Sequence, residues 1–314
     1  MSGQAHAIVL GAGPMGRAIA AALVAQGQRV TVVTRDGRPM GPGIASAKAD
    51  LARADQTIAA CQGGDTIFQC AAPPYHAWAE AFAPLQDAAI AAAAATGAVL
   101  VAVENLYGYG VAGTLSEDAA LAATTRKGAV RAQLSKALLA AHAAGRARTV
   151  AGRATDFFGP AVHMAALGER FWTPLLTGKT LDWVGDPDVL HSFAYLPDLA
   201  TAYIALAQTP AAHGRSWHLP ALPPISLLDI VAKARAAGAP PARIRQTPSW
   251  LLRAIGLFQP AAGELVEMRY MFDAPFIIDH SRFDREIGGG IAGWDTALAE
   301  TGAWWQQEID QAKR

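Results

Sequence analysis

Six side chains in the middle of this 314-residue sequence carry groups able to move a proton or hold an anion: Glu104, Asn105, Tyr107, Tyr109, Lys127 and Arg131. Glu104 directly follows the apolar run Val99 to Val103. A carboxyl at the end of a buried parallel strand sits where ligands bind in open α/β sheets, and burial there raises its pKa toward the range of a general acid or base. A structural hydrogen bond to a loop is the alternative use of such a group. Tyr109 offers a phenol. Lys127 and Arg131 lie four apart and share a helical face, where they can bind an acidic substrate or a cofactor phosphate, or form a solvated basic surface. His163 and His191 add two imidazoles further along.

Residues 7–35, AIVLGAGPMGRAIAAALVAQGQRVTVVTR, supply the frame that has to position them. The apolar run Ala7 to Leu10 reads as a parallel strand buried on both faces, and a GxGxxG turn follows at once. Gly11 permits the tight turn, Gly13 lets the backbone approach a pyrophosphate, and Gly16 allows close packing of helix on sheet. Pro14 and Met15 open a helix whose amino terminus faces the anion, and a second strand runs over Val30 to Val33. Strand, glycine turn, helix and strand in that order mark a dinucleotide site. A carboxylate at the end of the second strand would bind ribose hydroxyls, but this chain has Thr34-Arg35-Asp36-Gly37-Arg38. Arg35 and Arg38 can meet a 2′-phosphate with a planar fork, which favours NADP. NAD is the alternative if Asp36 takes the ribose.

Composition narrows the rest. Hydrophobic residues make up 52% of the chain and charged residues 17%, which opposes disorder, and the formal net charge of zero gives no electrostatic reason to expect nucleic acid or an anionic membrane. The ligand is expected to be small. Two cysteines, Cys61 and Cys70, oppose a disulfide framework and fit a reducing cytoplasm. No signal peptide is expected ahead of a strand that begins at residue 7, and the alanine-rich stretch 88–103 is broken by Thr96-Gly97, so it reads as helix then strand. No metal-ligand spacing and no nucleophile elbow is evident.

Strands at 47–50, 66–71 and 99–103 alternate with helices at 77–95 and 124–144, and a sixth strand follows at 149–153. This pattern gives an α/β fold, a Rossmann-type doubly wound parallel sheet with a smaller carboxyl-terminal substrate-binding lobe. The dinucleotide unit spans 1–160, with returning segments at roughly 181–215, and 161–314 is mainly the lobe. Ser226 is placed to cap a helix over 226–237.

The segments GAGPMG at 11–16, Asp50-Leu51, CAAP at 70–73, LYG at 106–108, RATDFFGP at 153–160 and HSFAYLPDLATA at 191–202 resemble, in order, an extended short-chain dehydrogenase/reductase of the NAD-dependent epimerase/dehydratase kind. The resemblance covers nearly the whole chain. It implies that Asp50 and Leu51 contact the adenine, that Ala71 and Ala72 line the cofactor, and that Phe158 borders nicotinamide and substrate. It further implies that His191 contacts the substrate, that Tyr107 matches an aromatic that usually packs, and that the helices at 77–95 and 124–144 pair into a homodimer; Asn105, Tyr107, Arg131 and His163 are the other candidates for the substrate side by their positions. Two departures mark an atypical branch. The glycine turn is one residue shorter than the family's usual form. The family's tyrosine and lysine, four apart on one helix, are also missing, because no tyrosine occurs between Tyr109 and Tyr195. Aligning on LYG puts Val103 at the family's serine, the helix register puts Thr125 and Ala129 at the tyrosine and lysine places, and a shift of two residues puts Lys127 and Arg131 there. The expected activity is NAD(P)-dependent oxidoreductase or epimerase-like chemistry on a small carbonyl or alcohol, with Tyr109, Glu104 or Lys127 in place of the absent relay. A catalytically silent NADP(H)-binding sensor is the alternative.

Overall fold

The structure, a computed structural model, describes residues 4–248 and 267–313; the part of the expected lobe at 249–266 lies outside the described residues. Seven parallel strands form the central sheet: β1 (His6–Leu10), β2 (Arg29–Thr34), β3 (Ile44–Lys48), β4 (Thr66–Gln69), β5 (Val99–Asn105), β7 (Arg148–Ala154) and β11 (Ser216–His218). Their spatial order is β11-β7-β5-β4-β1-β2-β3, so chain direction across the sheet reverses between β1 and β4. That junction is the switch point of a doubly wound fold, and the crevice at the strands' carboxyl ends opens there.

Alternation along the strands explains why both faces are covered. On β1, Ala7 and Val9 face one apolar core with Ile19 and Leu23 of α1 (Pro14–Ala25) and Leu199 and Tyr203 of α6 (Leu196–Gln208). Ile8 and Leu10 face the other, with Ala89 and Ala93 of α3 (Trp78–Thr96) and Leu138 of α4 (Arg126–Ala143). Alanine enrichment has a physical role here: small side chains let these helices lie close to the sheet. Between β3 and β4 runs α2 (Ala54–Ala60). Thr125 caps α4 by accepting the Gly128 N–H, so its hydroxyl is already used, and Gly97, in the left-handed region at φ 72°, ends α3.

The chain then builds a second core from Phe158, Phe171, Trp172, Trp183, Phe193 and Trp294. Here β8 (Asp156–Phe158) pairs in parallel with β10 (Phe193–Tyr195). β9 (Leu181–Val184) pairs with β12 (Ile244–Thr247), and β6 (Gly113–Leu115) with the strand Phe276–Ile278. Ser226 caps α7 (Leu227–Ala236) by accepting the Asp229 N–H, as its position in the sequence predicts. The returning segment reaches beyond residue 215: α6 lies against α1, and β11 adds the seventh strand beside β7. Asp198, a natural cap by its sequence position, instead lies inside the first turn of α6, where its carboxylate accepts the Ala292 N–H at 2.9 Å.

Candidate active site

The glycine turn has the form a dinucleotide needs. Gly11 stands at φ 98°, and a Cβ on it would come within 2.8 Å of the Ala71 backbone. At Gly16 a Cβ would lie 2.1 Å from the Gly11 carbonyl oxygen. Gly13 differs, because a Cβ there meets nothing within 4 Å. Its open side faces no protein atom, as close approach of a pyrophosphate requires. Pro14 is the first helical residue, leaving the N–H groups of Met15 and Gly16 to point outward from the start of α1.

In the loop after β2 the Thr34 hydroxyl donates to Asp36 at 2.8 Å, and the Gly37 N–H donates to Thr34 at 3.0 Å. That hydroxyl bond holds the Asp36 carboxyl below its ordinary range, and Arg38 lies 3.9 Å from it. Asp36 is thus engaged within its own loop, while Arg35 is exposed. Asp50 accepts the Ala52 N–H at 3.1 Å on the surface, Leu51 is buried, and Ala71, just past the end of β4, lies against Gly11 with Ala72 following it in the chain. These residues fit a dinucleotide.

Glu104 and Tyr109 are found elsewhere than a cleft wall. β5 continues through Asn105, and its register sets Glu104 opposite Arg153 of β7. Arg153 donates to Glu104 at 3.1 Å, to the Tyr109 hydroxyl at 2.7 Å and to Ser135 of α4 at 2.7 Å. The Tyr109 hydroxyl in turn meets His218 Nε2 at 2.7 Å, and His218 Nδ1 donates to the Asp279 carbonyl at 3.0 Å. Tyr109 is 1% exposed and Glu104 6%. Burial pushes the Tyr109 phenol up and the His218 imidazole down to about 4. Both expected proton carriers are therefore hydrogen-bonded to Arg153, while Glu104 Oε1 is buried without a partner among the described residues.

Lys127 lines a small cleft, and Arg131 packs on the aromatic rings beside it. Lys127 Nζ pairs with Glu267 at 2.8 Å and lies 4.7 Å from the centre of the Tyr75 ring. The Arg131 guanidinium lies over Trp78 and Phe82 at 4.7 and 4.3 Å, and its Nε is buried without a hydrogen-bond partner among the described residues. Tyr75, which follows the CAAP turn, donates to the Tyr107 hydroxyl at 2.9 Å. Burial pushes the Tyr75 phenol up to about 12 and the Tyr107 phenol well above its ordinary value, so neither resembles the lowered-pKa phenol of a tyrosine-lysine relay. A small cleft opens over Tyr75, His76, Trp78, Arg126, Lys127 and Val130. Asn105, on the end of β5, uses its side-chain oxygen to accept the Tyr107 N–H at 3.2 Å.

The three remaining expected residues separate. Phe158 is fully buried and stacks on Trp294 at 5.5 Å, so it belongs to the lobe core rather than to a cofactor surface. His163 is exposed and packs edge-on against Trp304 and Trp305 at 5.5 and 5.1 Å. His191 is buried beside Asp156, with Nε2 2.9 Å from the carboxylate and Nδ1 3.1 Å from the Met271 carbonyl. Sequence reasoning missed Asp156, Tyr75 and Tyr270. Asp156 lies inside the RATDFFGP segment and was legible as a carboxylate at the end of an apolar strand, the same signal that singled out Glu104. Among the described residues no group of His, Cys, Asp or Glu could hold a metal ion, and no helix is long and apolar enough to cross a membrane.

Open parallel sheet, glycine cradle and adjoining crevice together define a dinucleotide-binding α/β protein. The model of the NAD dependent epimerase/dehydratase family matches residues 7–219, and the chain belongs to that family. No curated protein matches it significantly. Among solved structures it is similar to a dTDP-glucose 4,6-dehydratase from Streptomyces venezuelae with NAD and TYD bound (18% identity, 98% of each chain, TM-score 0.79). It is also similar to a UDP-glucuronic acid 4-epimerase from Bacillus cereus in complex with NAD (15% identity, 96% of this chain and 99% of that one, TM-score 0.78). A third is a putative epimerase from Burkholderia cenocepacia (20% identity, 95% and 97%, TM-score 0.73).

Proposed function

We propose that the protein is an NADP-preferring oxidoreductase or epimerase-like enzyme acting on a small organic carbonyl or alcohol, without the tyrosine-lysine relay of its family. The observation that carries this reading is a glycine cradle open at Gly13 together with a small cleft walled by Tyr75, Trp78 and Lys127, with Tyr107 bonded to Tyr75 and Arg131 packed on Trp78. Gly11 to Gly16 would hold the pyrophosphate, and Arg35 the 2′-phosphate. When bound, the dinucleotide supplies or accepts hydride.

Of the three proton carriers expected from the sequence, Lys127 alone lines the cleft, and its role is to donate a hydrogen bond to the substrate oxygen on which charge develops. Arg131 has no anionic partner at ion-pair distance among the described residues, which suits an acidic group on the substrate. The two free thiols agree with a reducing cytoplasm, and α3 and α4 are the surfaces for a homodimer.

Oxidation of NADPH against a panel of ketones, aldehydes and sugars tests the proposal. Turnover with at least one compound, reduced about 100-fold or more in Lys127→Ala, is expected. Tight NADPH binding with no turnover on any of them would instead favour the silent sensor.

A further inference from the structure

The two buried histidines of this protein differ in what their ring nitrogens face. His218 presents Nδ1 to a carbonyl, which only accepts, and Nε2 to the Tyr109 hydroxyl, which can donate. Since Arg153 donates to that hydroxyl, the sequence Arg153 to Tyr109 to His218 to the Asp279 carbonyl is complete with a neutral imidazole. His191 has no such solution. Its Nδ1 faces the Met271 carbonyl at 3.1 Å and its Nε2 faces the Asp156 carboxylate at 2.9 Å, so both neighbours are acceptors. Nδ1 must carry a hydrogen, and the short contact at Nε2 then requires a second proton, either on the imidazole or on the carboxyl.

The ring cannot turn to escape this. It stacks between Phe272 at 4.7 Å and Phe276 at 5.3 Å, within 4° and 21° of parallel, and touches Phe193. Asp156, by contrast, keeps 21% of its side-chain surface exposed, against 6% for His191. It stands on β8, directly after the sheet strand β7, where the phenols of Tyr75, Tyr107 and Tyr270 are raised mainly by burial and in smaller part by its charge. The titratable and charged groups around it are His191, those three neutral phenols, and beyond them Arg131, Lys127 and Glu267. The Tyr270 hydroxyl is itself buried with no partner among the described residues.

We infer that Asp156 and His191 form the acid-base pair of this enzyme, holding one proton between them and passing it through the Asp156 carboxyl to the substrate oxygen. The inference rests on the hydride-transfer reading above and assigns the proton that reading leaves without a source. In the reductive direction a bound dinucleotide would supply hydride to the substrate carbon, and the carbon–oxygen π pair would move to oxygen. The O–H bond then forms with the proton shared by Asp156 and His191. The pair is left as aspartate beside a neutral imidazole with Nδ1–H still on Met271, and it regains its proton from solvent. Oxidation runs the same steps backwards. His191 never meets the substrate, so it is a positioning residue that stores the proton, and Asp156 is the catalytic one.

Long-range nitrogen–proton spectra of the full-length protein labelled with 15N-histidine, assigned with His191→Gln, test the storage directly. In the wild type at pH 7 the expected pattern is Nδ1 protonated and Nε2 shifted by a shared proton, and in Asp156→Asn Nε2 becomes a plain acceptor. A neutral Nε2–H tautomer in the wild type, or identical His191 signals in the two proteins, overturns the inference. With a carbonyl substrate found in the NADPH panel, Asp156→Asn should lower kcat 100- to 10,000-fold with KM for NADPH unchanged, and Asp156→Glu should recover part of it. Unchanged kcat and pH profile in Asp156→Asn also overturns it. Absence of turnover with every substrate would remove the hydride reading, and this catalytic role with it, whatever the spectra show about the proton.

Discussion

Replacing Glu104 by Gln separates a structural carboxylate from a catalytic one. The Glu104–Arg153 pair is 6% and 5% exposed, and its two members are direct neighbours across β5 and β7. Removing one charge from a buried ion pair leaves the other uncompensated, at a cost of about 3 to 5 kcal/mol. Here Arg153 keeps its bonds to Tyr109 and Ser135, and a glutamine oxygen can still accept from Nε, so the lower end, about 3 kcal/mol, is expected. That is a large part of the roughly 5 to 15 kcal/mol a folded protein holds. At ~2 °C per kcal/mol for a chain of this size, the melting temperature should fall by ~6 °C. Urea unfolding of the two proteins should show a lower midpoint and an unchanged slope, and NADPH affinity should be retained. A variant within about 0.5 kcal/mol of wild type that loses turnover would refute this reasoning and return Glu104 to the catalytic site.

Two further expectations follow from the same geometry. Burial lowers the His218 pKa from 6.5 to about 4, so between those values the unfolded chain binds a proton the folded one refuses. This contribution is present above pH 6.5 and is lost as the pH falls through the window, by up to about 1.4 kcal/mol per unit; His218→Gln should remove that slope from urea midpoints measured against pH. Arg35→Ala should weaken NADPH binding ~10-fold or more and leave NADH unaffected, since a charge-assisted hydrogen bond contributes about 1.5 to 3 kcal/mol; equal loss for both dinucleotides in fluorescence titrations would place Arg35 away from a 2′-phosphate.

The fold was legible because its signals are local. Gly11, Gly13 and Gly16 sit within six residues, strand hydrophobicity reads continuously, and Ser226 caps the helix that begins right after it. Helix spacing was readable in the same local way: Lys127 and Arg131, four apart, both lie over the aromatic rings of Tyr75, Trp78 and Phe82. What escaped depends on pairing between distant segments. Tyr75 and Tyr107 are 32 residues apart, Asp156 and His191 35, and Glu104 and Arg153 49, and nothing in either member announces the other. The last pair had a usable sign. VLVAVEN and RTVAGRA carry an acid and a base at the same offset, and adjacent parallel strands in equal register bring such residues together. The partner of Tyr109 is hidden for a related reason, since a phenol just beyond a strand end shows no partner in the sequence until β11 brings His218 over it.

Calorimetric titration of NADPH into the wild type and Gly13→Ala tests the central claim most directly. At Gly13 the backbone angles, φ −69° and ψ 178°, suit alanine, and a Cβ would touch no protein atom within 4 Å. The substitution should therefore leave the fold as stable as before, or about 0.4 to 1 kcal/mol more stable through the unfolded state. The methyl group would instead occupy the space assigned to the pyrophosphate. One site per chain in the wild type, with affinity reduced ~10-fold or more in an equally stable Gly13→Ala, is the expected result. Absence of binding by the wild type, or equal affinity in both proteins, would contradict the dinucleotide site on which the whole account is built.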